Sequence, residues 1–166
     1  MRISPAASLR GLHQVEPGRF LVDGSGRIGV AAMWKGEKPS ARGSCYVPLI
    51  GPDAFTVVWV QRHFEDQMPK VVDIGPCDAR ATFDTLMEAA FGYEHPEMPS
   101  VQPGDLSILE HGVYICVDSS SRHLLLSLAT GGLEDLATRN FMVARKWAIS
   151  GIAGIEEVFS LTFGGA

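Results

Sequence analysis

Apolar positions in this chain come in short runs punctuated by glycine and proline, the pattern of a strand-rich protein. Residues 20–22, 28–34, 45–50, 55–60, 70–74, 106–109, 113–117, 123–129 and 158–163 are rich in β-branched and aromatic side chains and are predicted strands. Asp23-Gly24-Ser25-Gly26 and Glu110-His111-Gly112 are hairpin-turn signals, because glycine takes positive φ without steric cost.

Two stretches carry the helical period instead. In 79–91, Phe83, Leu86, Met87 and Ala90 recur at i, i+3, i+4 and i+7, with Asp78 as N-cap and Gly92 as the stop. In 133–149, Leu133, Leu136, Ala137, Phe141, Ala144, Trp147 and Ala148 form a second stripe. Glu134 and Asp135 open that stretch, Arg145 and Lys146 close it and Gly151 ends it, an order that suits the helix dipole. The expected fold is α+β: one β-rich domain of short, mostly antiparallel strands with two amphipathic helices, 79–91 and 133–149, packed on the sheet. Phe83, Leu86, Phe141 and Ala144 are the expected core contacts. Residues 1–18, rich in Ser, Pro, Ala and Arg, read as an N-terminal arm docked on the domain that follows, over 19–166, or on a neighbouring subunit.

One stretch echoes another. Val15-Glu16-Pro17-Gly18-Arg19-Phe20-Leu21-Val22, with Gly26 in the next turn, resembles Val101-Gln102-Pro103-Gly104-Asp105-Leu106-Ser107-Ile108, with Gly112 in its turn. Pro-Gly before a strand is common turn chemistry, so two separate hairpins are the simpler expectation, with duplication the alternative.

Composition adds bounds. At 166 residues, 46% hydrophobic and 20% charged, the chain suits a single globular domain with its own core. A net charge of −5 argues against general nucleic-acid binding. There is no signal-peptide pattern and no apolar run of the roughly 18 residues that spans a bilayer, so no membrane association is expected. Cys45, Cys77 and Cys116 are odd in number and widely spaced, which suggests no disulfides and a reducing, cytoplasmic site of synthesis.

The charges are segregated along the chain. Residues 1–52 hold seven basic and three acidic side chains, residues 53–110 three and eleven, and residues 111–166 four and five. Opposite poles steer association, and Arg2, Arg10, Arg27, Lys35, Lys38 and Arg42 are the candidate interaction residues. Trp34, Trp59, Trp147 and Phe64 are candidate anchors wherever they are exposed.

Catalytic motifs are sparse. Cys77 is the one catalytic candidate, as a cysteine between a strand and an expected helix N-terminus, where a thiolate is favoured. Asp78 beside it opposes that effect, and His63, His95, His111 and His123 show no spacing that nominates a base. Thr130-Gly131-Gly132, between a strand and the second expected helix, is a candidate anion cradle, countered by Glu134 and Asp135. Gly24-Ser25-Gly26-Arg27-Ile28-Gly29 matches a dinucleotide fingerprint in letters only, since no helix follows. No spacing fits a metal site, and no cofactor is expected. The favoured reading is a non-catalytic assembly subunit, of a phage particle or comparable machine, that binds itself or other subunits. The alternative is a small cysteine-dependent enzyme or ligand-binding domain centred on Cys77 or the 130–132 turn.

Overall fold

The computed structural model describes residues 7–35, 43–61, 64–89, 100–120, 122–136 and 141–164. Their strands are β1 (Ser8–Gly11), β2 (Phe20–Val22), β3 (Ile28–Trp34), β4 (Ser44–Pro48), β5 (Val58–Val60), β6 (Lys70–Asp73), β7 (Asp78–Phe83), β8 (Met87–Ala89), β9 (Leu106–Leu109), β10 (Gly112–Ser119), β11 (Arg122–Ser127), β12 (Gly132–Asp135), β13 (Phe141–Ala144), β14 (Trp147–Ala153) and β15 (Glu156–Phe163). Each of the nine runs predicted as strand overlaps one of these. The α+β expectation is corrected: the described residues contain no helix of seven or more residues, only 3-10 turns at Leu12–Gln14 and Glu65–Gln67, and the fold is a large mixed sheet plus a small one.

Both expected helices are strands for the same reason. Within 79–91, β7 has period two: Ala79 and Ala81 pack on the core while Asp78 and Arg80 face out. The helical stripe of Phe83, Leu86 and Met87 is exposed, at 42%, 41% and 36%. Within 133–149, the stripe collects core residues from three strands, Leu133 of β12, Ala144 of β13 and Trp147 of β14. In β14 the buried positions are Trp147, Ile149 and Gly151, again period two. Long-range pairing overrides the helix propensity of the Ala, Leu and Met residues here. Of the four expected core contacts Ala144 is buried, Phe83 and Leu86 are not, and the Phe141 side chain lies outside the described set.

The strands form two halves with one layout. The first runs β1-β6-β2-β3-β4-β5 and the second β8-β13-β9-β10-β11-β12, every neighbour antiparallel. Register is kept too. Phe20 opposite Val30 corresponds to Leu106 opposite Ile115, and Ala32 opposite Cys45 to Val117 opposite Leu124. Leu21 opposite Asp73 corresponds to Ser107 opposite Val143. Both Pro-Gly turns are built alike. Gly18 N–H donates to the Ala31 carbonyl and Ala31 N–H to the Arg19 carbonyl, while Gly104 N–H donates to Cys116 and Cys116 N–H to Asp105, all at 2.8–2.9 Å. The two echoing segments are therefore one structural unit used twice, not two unrelated hairpins.

The halves interlock by exchanging strands. β12 lies parallel to β3, with Gly132 opposite Met33, and Thr56, just ahead of β5, bridges in parallel to Asp118 of β10. These two joints close β3-β4-β5-β10-β11-β12 into a ring. Inside it sit Val30, Ala32, Cys45, Val47 and Val57 with their counterparts Ile115, Val117, Leu124, Leu126 and Leu133. Each half also has its own outer cluster, one containing Leu12, Val15, Leu21, Tyr46 and Met68, the other Ala89, Val101, Cys116, Leu125 and Val143. Beside the ring, β7 and β14 pair with each other, Arg80 opposite Ser150. β15 covers the far edge of β14 and, among the described residues, has no counterpart on β7.

Gly131 sits at one joint with φ +68. A Cβ there would land on the Gly18 nitrogen, 2.6 Å from the Pro17 carbonyl carbon and 2.7 Å from the Ala31 oxygen. Gly26, at φ +79, has open space around it. Gly131→Ala is expected to cost more than about 3 kcal/mol or prevent folding, and Gly26→Ala only about 1 kcal/mol, the penalty of its backbone conformation. Urea unfolding of the two variants measures the difference; equal losses would show that the joint tolerates a side chain.

Candidate functional site

The residue step that distinguishes the two halves is Cys77. Counting along equivalent strands, Asp73 matches Val143, so Cys77 matches Trp147. Trp147 is 2% exposed. Its Nε1 donates to the Gly104 carbonyl at 2.8 Å, and its ring lies 4.3 Å from Phe163 and 6.3 Å from Phe55, centroid to centroid. In the first half the matching places hold smaller groups. Cys77 stands for Trp147, Gly131 for Phe55, and Ala79 for Ile149. A cleft of about 550 Å³ opens there, lined by Gly18, Cys77 to Ala81, Val113, Leu128 and Ala129.

Cys77 follows the Gly75-Pro76 turn and leads into β7, not into a helix, so no helix dipole acts on its thiol. Burial pushes the Cys77 thiol up, against the opposing effects of a hydrogen bond from Phe20 backbone and the Arg19 charge; Asp73 and Asp78 push it further up. No histidine among the described residues lines the cleft. His63 and His95 lie outside the described residues. Cys116 is fully buried and its thiol is pushed up to about 12 by burial and by Asp105 and Asp118. Cys45 is buried and its Sγ donates to the Ala32 carbonyl at 3.1 Å. All three cysteines are free thiols.

The 130–132 turn joins β11 to β12, and its N–H groups are engaged inside the turn. Thr130 N–H donates to Ser127 Oγ at 3.3 Å, Gly131 N–H to the Ser127 carbonyl at 2.9 Å, and Gly132 N–H to Thr130 Oγ1 at 3.2 Å. No group of three or more His, Cys, Asp or Glu side chains converges as a metal site among the described residues. The 24–29 glycine motif forms the β2–β3 turn.

The basic front folds back on acidic partners. Arg19 meets the buried Asp73 at 2.9 Å, with Arg10 3.6 Å from the same carboxylate. Arg27 contacts Asp23 at 2.9 Å and Asp53 at 3.2 Å, and Lys35 contacts Glu134 at 3.1 Å. Arg2, Lys38 and Arg42 lie outside the described residues. Of the aromatic anchors, Trp147 is buried and Phe64 is 65% exposed. Trp34 and Trp59 stack at 6.3 Å, with Arg122 5.0 Å from the Trp34 ring and Trp59 Nε1 donating to Ser119 Oγ.

Asp23 is the most heavily bonded of these acids. Burial alone would raise its carboxyl, but hydrogen bonds from the Arg27 and Ser25 backbone N–H groups and the Arg27 side chain hold it below its ordinary value. Tyr46 Oη also donates to it, at 3.3 Å. The cleft beside Cys77 is not legible in the sequence, because it is made by small residues far apart in the chain, Gly18, Cys77, Ala79 and Ala129, and shows as a vacancy only beside Trp147 in the other half. The repeat in the Pro-Gly turns was the available signal. No known protein family, curated protein or solved structure matches the chain.

Two measurements follow from this chemistry. Iodoacetamide should label native protein at Cys77 first, with Cys45 and Cys116 reacting only on unfolding, as read by peptide mass spectrometry; labelling of Cys116 at the rate of Cys77 would contradict its burial. A carboxylate with a depressed folded pKa adds stability above its unfolded pKa and loses it as pH falls through the folded value. Asp23→Asn is therefore expected to cost about 1–2 kcal/mol at neutral pH, with the gap narrowing in acid; a gap that is constant with pH in urea unfolding would show that the charge contributes nothing.

Proposed function

We propose that the chain is a non-catalytic subunit of a larger assembly, joined to further copies of itself through the two ends of its large sheet. The observation that carries this reading is that β1 and β8, equivalent strands of the two halves, are the terminal strands of the sheet path among the described residues and bear exposed apolar side chains. Leu9 on β1 is 70% exposed, and Met87 on β8 is exposed beside Leu86 and Phe83. An end strand offers unpaired backbone groups to a neighbour, and uncovered apolar side chains there favour such pairing. Two like edges on one subunit make it bivalent, which suits a ring or filament.

Charge plays the smaller part in this reading. Arg10, Arg27 and Lys35 each have an acidic partner within the chain, so association through apolar edges, not through a free basic pole, is the expected mode. Cysteine-dependent catalysis is the less supported alternative, since burial raises the Cys77 thiol and no histidine among the described residues lines its cleft.

Sedimentation velocity over a range of concentrations, at low and molar salt, tests the proposal. Concentration-dependent association that persists in molar salt is expected, because screening weakens exposed ion pairs but not apolar contacts. Leu9→Lys with Met87→Lys should reduce it several-fold without unfolding the subunit, since lysine on an edge strand opposes pairing. A protein that stays monomeric throughout, or a double variant that assembles like the parent, would overturn the reading.

A further inference from the structure

The repeat supplies an internal comparison for the Cys77 cleft. In the second half the equivalent space holds an indole, that of Trp147, with its N–H bonded to the carbonyl of the Pro103-Gly104 turn. In the first half the turn is the same: Gly18 has φ +86 against +93 for Gly104, and both make the same pair of backbone hydrogen bonds. Gly18, the counterpart of Gly104, lines the cleft, and among the described residues no donor reaches its carbonyl. The side chains that fill the mate are absent: Cys77, Gly131 and Ala79 replace Trp147, Phe55 and Ile149. β15, which brings Phe163 against Trp147, has no counterpart beside β7 among the described residues.

We propose that the cleft beside Cys77 is a binding site for a planar aromatic ligand with an N–H donor, of which indole is the simplest member. The ring lies against Ala79, Val113 and Leu128, and its N–H donates to the Gly18 carbonyl as Trp147 does to Gly104. A volume of about 550 Å³ falls within the range of small-molecule sites and leaves room for substituents on the ring. Two independent observations carry this: the open cavity, and the group that occupies its equivalent. The site belongs to the single subunit and does not rest on the assembly reading.

The test uses indole as probe and Cys77 as reporter. Indole at millimolar concentration should slow iodoacetamide labelling of Cys77 several-fold, and 1-methylindole, which has the ring but no N–H, should protect about tenfold less well, because a buried acceptor is then left unpaired. Cys77→Trp should fill the cleft, raise the melting temperature and abolish indole binding as measured by calorimetry. Should that variant fail to fold, Ala81→Leu, which narrows the same cleft with a smaller change, should weaken binding at least tenfold. No protection by indole up to its solubility limit, equal protection by 1-methylindole, or full binding by a folded filled-cleft variant would each overturn the proposal. None of these readouts depends on whether the subunit assembles.

Discussion

The fold depends on two parallel joints where each half hands a strand to the other. β3 makes the first. Along one edge, Ala31 N–H donates to Arg19, next to β2; two residues on, Met33 N–H donates to Gly131, and then Lys35 N–H to Leu133. That edge thus passes from its own half to the other within a single strand. β10 repeats the arrangement with Asp118 N–H donating to Phe55 and Val57 N–H to Asp118. The incoming strand must begin hard against the Pro-Gly turn it displaces, which forces positive φ on its first residue. Gly131, at φ +68, meets the demand freely, whereas Phe55, at φ +61, meets it at a conformational cost. The Phe55 ring compensates by packing on Phe163 at 5.2 Å and over Gly104, where a side chain would clash.

That difference leads directly to the asymmetry of the molecule. Phe55, Trp147 and Phe163 form one aromatic group at the second joint, while the first joint has Gly131, Cys77 and, among the described residues, no third ring. Chain length diverges as well. Asp23 and Arg27 pair across a three-residue turn, where Leu109 and Gly112 pair across Glu110 and His111 alone. Substitutions are also compensated within each half: the residue after the Pro-Gly turn is Arg19 in one, facing Asp73, and Asp105 in the other, facing Arg145 at 3.5 Å. Burial raises the Asp105 carboxyl despite the Gln102 N–H and Arg145. The halves keep the backbone plan and vary what fills it.

How much of this could be read from the residues alone depends on the range of the physics. Strands such as β3, β10 and β11 are legible because each carries a local run of four or more consecutive buried residues. The helices at 79–91 and 133–149 were misread because short strands rich in alanine, each only three to seven residues long, sum by chance to a helical stripe. Nothing local tells Ala79 and Ala81 apart from helix formers; their place in β7 is set by pairing with Gly151 and Ile149 of β14. The repeat was visible in Val15-Glu16-Pro17-Gly18 and Val101-Gln102-Pro103-Gly104, but unequal turns shift the matching register by one residue after each first strand, which hides Val30 against Ile115.

Segregated charge along the chain invites an external explanation, and the fold supplies an internal one. Arg10 and Arg19 come from the basic front and Asp73 from the acidic middle, and they meet where β1 and β2 flank β6. Asp73 is 1% exposed; an uncompensated carboxylate there would carry a large desolvation penalty, so the arginines are needed to bring β6 between its neighbours. Arg27 ties the first turn to Asp53, just past β4, and Lys35 ties β3 to Glu134 of β12 at the joint between halves. Exposed pairs such as these are each weak, but their placement is consistent: where the front of the chain must lie beside later strands, the two carry opposite sign. Poles that look ready to steer a partner are, for these residues, already in contact with each other.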